Sequence, residues 1–170
     1  MLDVCVNIYL DDILIYLESL EQYIKHVTTV LTRLRENQLY AKPEKCIFHT
    51  QDISFLGYRI TAEGINMEDT KITSITSWPQ PTTVKELQSF LGFSNFYCKF
   101  IKNFSSIVKP LTRLTGKATA FVWTPEAQRA FESLKVSFTT APILHFPDTT
   151  LQYILEVDAS EYTIAAILSQ

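Results

Sequence analysis

Residues 5–16, CVNIYLDDILIY, set two adjacent carboxylates, Asp11 and Asp12, inside a run that is otherwise almost wholly apolar or aromatic. Strand interiors disfavour Asp, and neighbouring like charges repel. The run is therefore expected to break at the pair, as a strand, a tight turn and a second strand, with the two Asp residues at or beside the hairpin tip. β-Branched and aromatic neighbours bracket the pair, which predicts a partly buried setting. No Lys or Arg stands between residues 1 and 24 to compensate the charge. Two arrangements make such a pair tolerable. One is a fully solvated turn, where Asp is common. The other is a hard divalent cation with oxygen ligands, such as Mg2+.

The whole chain of 170 residues, 46% hydrophobic, holds enough apolar sequence for one ordinary domain or two small ones. Its net charge of −3 excludes a chain that is basic throughout, but the charge is unevenly spread. Residues 85–117 carry Lys85, Lys99, Lys102, Lys109, Arg113 and Lys117 against Glu86 alone, between two acidic stretches. A basic segment between acidic ones suggests a division of labour along the chain or, more plainly, a solvated helix face. Cys5, Cys46 and Cys98 form no CxxC pair and no even framework, which suits a reducing compartment. Neither a signal-peptide pattern nor an apolar run of membrane-spanning length is present. These features predict a soluble intracellular protein of the cytoplasm or nucleus.

Local signals then place the elements. Ser19 with Gln22 reads as a capping box opening a helix over 20–37, with Ile24, Val27, Leu31 and Leu34 as its buried stripe and Asn37 at its end. Pro43 marks a turn. DISFLGYRITAEGI reads as one β-hairpin turning at AEG, with Gly64 free to take positive φ. Ile53, Phe55, Gly57 and Arg59 are assigned to one of its faces, and Ser54, Leu56, Tyr58 and Ile60 to the other. Residues 67–115 look helical, with a break near Trp78 and a second capping box at Thr83 and Glu86. Gly92 inside this stretch implies close approach of another helix or of a nucleic-acid backbone. TGKATA, 115–120, reads as a linker. Thr124 and Pro125 open a further helix, as N-cap and N1. APILHFPD, LQYILEVDAS and TIAAILSQ read as strands.

Tyr9-Leu10-Asp11-Asp12 also reads as the YxDD box of reverse transcriptases. AKPEKCIF, ISFLGYRI, FLGFSNFYCKFIKNFS and ILEVDAS follow it in order and at family-like spacing. Over essentially its whole length the chain resembles the polymerase of gypsy-type LTR retrotransposons, from the palm through the thumb into the start of the RNase H-like region. A lone Asp pair would carry little weight; the ordered set is specific.

The resemblance implies an α+β fold. Residues 1–65 would be the C-terminal part of the palm, with a partial antiparallel sheet, the YxDD hairpin and the primer grip. Residues 66–117 would be a helical thumb or connection, and 118–170 the start of an incomplete RNase H-like α/β domain. It implies template-directed nucleotidyl transfer with two Mg2+ ions, Asp11 as principal ligand and Asp12 as a weaker one. Tyr9 would pack near the primer terminus, and Lys45 or Lys42 would act near the leaving pyrophosphate as a cation or general acid. Phe55, Leu56, Gly57 and Tyr58 would hold the primer strand, Phe55 and Leu56 being core as well. The basic stretch, including Lys85, Lys99 and Lys102, would meet template–primer phosphates. Asp158 falls at the first acidic position of the RNase H-like metal site.

The partners implied are an RNA/DNA template–primer and, in the parent enzyme, a deoxynucleoside triphosphate. The family's third palm carboxylate lies on an earlier strand, and Asp3 does not match it. The 170 residues alone are therefore expected to have little polymerase activity. Alternatives are a non-catalytic nucleic-acid-binding module and an inactive transposon remnant. Cys98 replaces a residue that is usually basic in the family, Leu17 a small polar one, and Ala165 a frequent glycine. Cut sheet edges would favour self-association.

Overall fold

The computed structural model of the chain describes residues 5–17, 19–116, 120–148, 150–161 and 163–170. It is α+β, as expected, with small antiparallel sheets and five helices among these residues. The chain divides into two compact units, Met1–Thr50 and Gln51–Gln170.

In the first unit, β1 (Val6–Tyr9) pairs antiparallel with β2 (Asp12–Ile15), Val6 opposite Ile15 and Tyr9 opposite Asp12. Helix α1 (Leu20–Glu36) follows. Ser19 takes the extended N-cap conformation, but its side chain makes no capping bond, so the expected capping box with Gln22 does not form. Asn37 closes the helix, its side-chain amide donating to the Arg33 carbonyl at 2.8 Å. The apolar stripe is only partly covered: Ile24 and Leu31 stay 49% and 41% exposed, and no residue of α1 is buried. The cause is length. A 17-residue helix runs about 25 Å, whereas the four-residue strands of the hairpin reach about 13 Å. The expected turn at Pro43 is a 3-10 turn over Pro43–Lys45.

The second unit opens with β3 (Asp52–Phe55), β4 (Tyr58–Thr61) and β5 (Gly64–Met67), paired antiparallel in that order. The single hairpin read from the sequence is thus a three-stranded meander with an extra turn at Leu56–Gly57. That turn overturns the expected faces. Ile53 lies opposite Ile60 and Phe55 opposite Tyr58, so these four share one face, continued by Ile65 and Met67. Arg59 instead lies opposite Ser54. From there its guanidinium holds Asp52 through Nε at 2.9 Å.

Helices α2 (Asp69–Thr76), α3 (Val84–Phe96), α4 (Phe104–Arg113) and α5 (Pro125–Thr139) follow. At the start of α3, the Thr83 hydroxyl accepts from the Glu86 amide at 3.2 Å. The Glu86 carboxylate reaches back one residue further than expected, to the amide and hydroxyl of Thr82 at 2.7 and 2.9 Å. Thr124 caps α5 by accepting from the Ala127 amide, with Pro125 at the first helical position, as the sequence indicated. Ile75, Leu87, Phe90, Leu111, Leu134 and Phe138 are completely buried and join the four helices in one core. Gly92 takes no part in it: a Cβ there would meet nothing within 4 Å, so the expected packing of another helix against it is absent.

Part of the linker read at 115–120, Lys117–Thr119, lies outside the described residues. APILHFPD is not a strand. Only Leu144 pairs, bridging Ile65 with bonds of 2.8 Å in both directions, because Pro142 and Pro147 offer no amide hydrogens to extend the ladder. Gly64 (φ 146°) makes that bridge possible, since a Cβ there would sit 2.3 Å from the Leu144 carbonyl oxygen. β6 (Ile154–Ala159) and β7 (Ile164–Ser169) form a hairpin whose residues are all exposed. No helix among the described residues is long and apolar enough to cross a membrane.

Candidate active site and nucleic-acid interface

The register of β1 and β2 leaves Leu10 and Asp11 as a two-residue turn. Leu10 has φ 51°, a conformation more natural to glycine. The turn puts Asp11 at its second position and Asp12 at the first position of β2. Both carboxylates are exposed, with Tyr9 56% and Leu10 85% exposed beside them. This corrects the expected partly buried setting: a four-residue hairpin places its tip in solvent before any flanking apolar residue can cover it. Among the described residues no cation pairs with either Asp. Two adjacent hard oxygen donors fit magnesium in kind but fall short in number, because no third His, Cys, Asp or Glu groups with them among the described residues. Lys45 ends the 3-10 turn, exposed, and neither it nor Lys42 forms an ion pair among these residues.

The Leu56–Gly57 turn is the best-defined polar and aromatic assembly of the second unit. Leu56 and Gly57 both have positive φ, 53° and 81°, as a type I′ turn requires. The Tyr97 hydroxyl donates to the Gly57 carbonyl at 3.3 Å and would stand 2.7 Å from a Cβ at that position. The Tyr58 ring stacks on Phe96 at 5.3 Å and meets Tyr97 edge-on at 5.6 Å. Its hydroxyl donates to the Phe96 carbonyl at 3.3 Å. Burial pushes both tyrosine hydroxyls above their usual pKa. Tyr58 therefore packs on the helical core, whereas Phe55 and Leu56, expected there, stay half-buried outside it.

The three lysines singled out from the sequence separate. Lys99 sits with its ammonium 4.0 Å above the centre of the Tyr58 ring, and burial holds its pKa below the usual lysine value. Lys85 and Lys102 are exposed. Lys109 and Arg113, which belong to the basic stretch expected to meet phosphates, line an open groove with Asn95, Ser105 and Thr112. Asp158 is the penultimate residue of β6, opposite Ala165 and exposed.

A family model described as reverse transcriptase (RNA-dependent DNA polymerase) matches residues 1–60. A second, described as an RNase H-like domain found in reverse transcriptase, matches residues 123–170. The transposon Tf2-3 and Tf2-4 polyproteins of Schizosaccharomyces pombe are each 37% identical to this chain over 162 residues, 95% of its length. The chain belongs to the reverse transcriptase family.

This reverse transcriptase segment spans 12% of the length of those polyproteins. Its structure matches that of the foamy viral protease–reverse transcriptase in complex with double-stranded DNA. The TM-score there is 0.81 at 30% identity, covering 96% of this chain and 29% of the viral one. The same viral protein in complex with an RNA/DNA hybrid matches with a TM-score of 0.79 at 30% identity, over 91% of this chain and 21% of that one. The acidic turn lies within the residues matched as reverse transcriptase, and β6 and β7 within those matched as RNase H-like.

Proposed function

We propose that the chain is the part of a retrotransposon RNA-directed DNA polymerase that presents two metal-binding carboxylates and grips the template–primer. The observation that carries this reading is the turn at Leu10–Asp11. It sets two adjacent, exposed carboxylates, with no ion-pair partner among the described residues, on a two-stranded hairpin within the span matched as reverse transcriptase. Asp11 and Asp12 would hold magnesium, Asp11 as principal ligand. Bound there, the metal would supply Lewis-acid activation of the primer hydroxyl and neutralise the triphosphate. Tyr9, exposed next to the pair, would pack near the primer terminus. Lys45 would carry positive charge to the leaving pyrophosphate.

Residues 1–65 would act as palm, 66–117 as thumb and 118–170 as the RNase H-like part. The turn from Phe55 to Tyr58 would hold the primer strand. Tyr97 orients its backbone from behind, which supports a fixed rather than mobile grip. Lys85, Lys99 and Lys102 would meet phosphates. Asp158 would be one ligand of the RNase H-like metal site. The foamy viral structures, which hold double-stranded DNA and an RNA/DNA hybrid, support nucleic acid as the partner.

The test is Mg2+-dependent primer extension by this chain joined to the upstream polymerase region of a Tf2 polyprotein. Asp11→Asn is expected to lower the rate at least about a hundredfold. Undiminished extension by that variant would sink the assignment.

A further inference from the structure

Residues 144–148 join two parts of the second unit. At one end, Leu144 exchanges backbone hydrogen bonds of 2.8 Å with Ile65 of β5 in both directions, and Nδ1 of His145 donates to the Glu63 carbonyl at 2.8 Å. At the other end, the Asp148 amide donates to Oε1 of Gln170 at 2.7 Å, and Nε2 of Gln170 donates to the Asp148 carbonyl at 2.8 Å, across 22 positions of sequence. One side-chain amide thus pairs with both backbone groups of Asp148, as a residue on a neighbouring antiparallel strand would. Only Asn and Gln side chains carry a carbonyl and an amide donor together, and Asn is a methylene shorter. The segment is also short and stiff. From Leu144 to Asp148 it spans about 14 Å at full extension. Pro147 fixes its own φ and restricts Phe146 to extended conformations. The Asp148 carboxylate accepts from the Thr150 amide and hydroxyl at 2.9 and 2.6 Å, which sets the turn that follows. Beyond that turn, β6 and β7 contribute no residue to the helical core, and among the described residues none of their hydrophobic side chains packs against it. The place of the hairpin therefore depends on how its end is held.

We propose that Gln170 is a positioning residue, whose side-chain amide clasps residues 144–148 to β7 and so sets where Asp158 stands relative to the turn at residues 55–58. The joints between the two run without a free linker. β4 pairs with β5, with Tyr58 opposite Met67 and Ile60 opposite Ile65. Ile65 holds Leu144, Asp148 holds Gln170, and β7 holds β6 with Ala165 opposite Asp158. Each joint is strand pairing or its side-chain equivalent. The separation is then fixed by geometry rather than averaged over a flexible chain. This role rests on the reading of residues 55–58 as the primer grip and of Asp158 as a metal ligand of the RNase H-like part. On that reading, an RNA/DNA hybrid gripped at its primer end meets Asp158 at one set number of base pairs from that end. Loosening the clasp changes where the RNA is cut before it changes how fast.

Two measurements test this. The first is hydrogen exchange of the full chain. The Asp148 amide is expected to be protected, and to exchange about five- to tenfold faster in Gln170→Ala while the Leu144 amide is unchanged. An Asp148 amide that exchanges freely in the unaltered chain would overturn the clasp. The second places this chain in a Tf2 polyprotein, in exchange for the 162 residues it matches, and maps the Mg2+-dependent cuts in the RNA of a hybrid with a recessed primer. The unaltered protein should give one dominant cut position. Gln170→Ala should spread the cuts over several positions while the total rate is kept. Gln170→Glu, which keeps the size of the side chain but not its donor, should do the same. An unchanged position in both variants, or a lower rate at that same position, would overturn the positioning role and leave Asp158 standing as a ligand. Undiminished cutting by Asp158→Asn, or no cutting by the unaltered protein, would remove the RNase H-like reading and the role of Gln170 together.

Discussion

Gly57 shows how much one missing Cβ can hold in place. Its φ of 81° and the Tyr97 hydroxyl 2.7 Å from where a Cβ would stand are independent reasons for glycine. Gly57→Ala is expected to destabilise the chain by about 1–3 kcal/mol, measured by urea unfolding. Tyr97→Phe, which removes the donor but keeps the ring, should cost about 0.5–1.5 kcal/mol in the same measurement. Gly92 is the opposite case. It lies exposed within α3 with open space around it, so Gly92→Ala should stabilise the helix by about 1 kcal/mol. If a nucleic-acid backbone passes close to that face, the same variant will melt higher yet bind hybrid more weakly. Unchanged hybrid affinity would show that no strand approaches there. The two glycines read alike as letters. What separates them is the positive φ of Gly57 and a side chain forty residues away from it, which no local pattern reveals.

Among the elements, α3 depends on Glu86. Its carboxyl is held below the usual carboxylate range, chiefly by the Thr82 amide, then by the Thr82 hydroxyl and by Thr83. A carboxyl depressed on folding adds stability above its unfolded pKa and loses it as pH falls through its folded pKa. Thermal melting between pH 5 and 3 should therefore show a loss that Glu86→Gln lacks, and parallel profiles for the two proteins would refute the cap. This cap was legible because Thr83 and Glu86 carry its chemistry at fixed spacing. The same holds for Thr124 with Pro125 at the start of α5. The turn at Leu56–Gly57 escaped because Leu56, at positive φ, gives no turn signal, whereas AEG next to it does. One missed turn then exchanged the faces of Tyr58 and Arg59. The carboxylate pair was legible as a hairpin tip. Its exposure was not, since that depends on how far the neighbouring apolar residues reach.

At the scale of the whole molecule, the second unit concentrates its burial in four helices and leaves β6 and β7 uncovered on both faces. Leu134→Ala, at the centre of the helical core, should cost about 2–5 kcal/mol in urea unfolding. The uncovered hairpin exposes Ile154, Leu155, Val157, Ile164, Ile167 and Leu168, which supports self-association of the isolated chain. Sedimentation velocity should show concentration-dependent species, and a monodisperse monomer across the range would contradict this. The bridge from Ile65 to Leu144 has a further consequence, in time rather than in space. The edge of β5 is covered by a segment that the His145 ring also ties to the Glu63 carbonyl at 2.8 Å, across 82 positions of sequence. A ribosome adding about 5–20 residues per second needs roughly 4–16 s to supply that segment. Through that interval the nascent strand has an open edge, and polysomes crowded on one message would bring several such edges together.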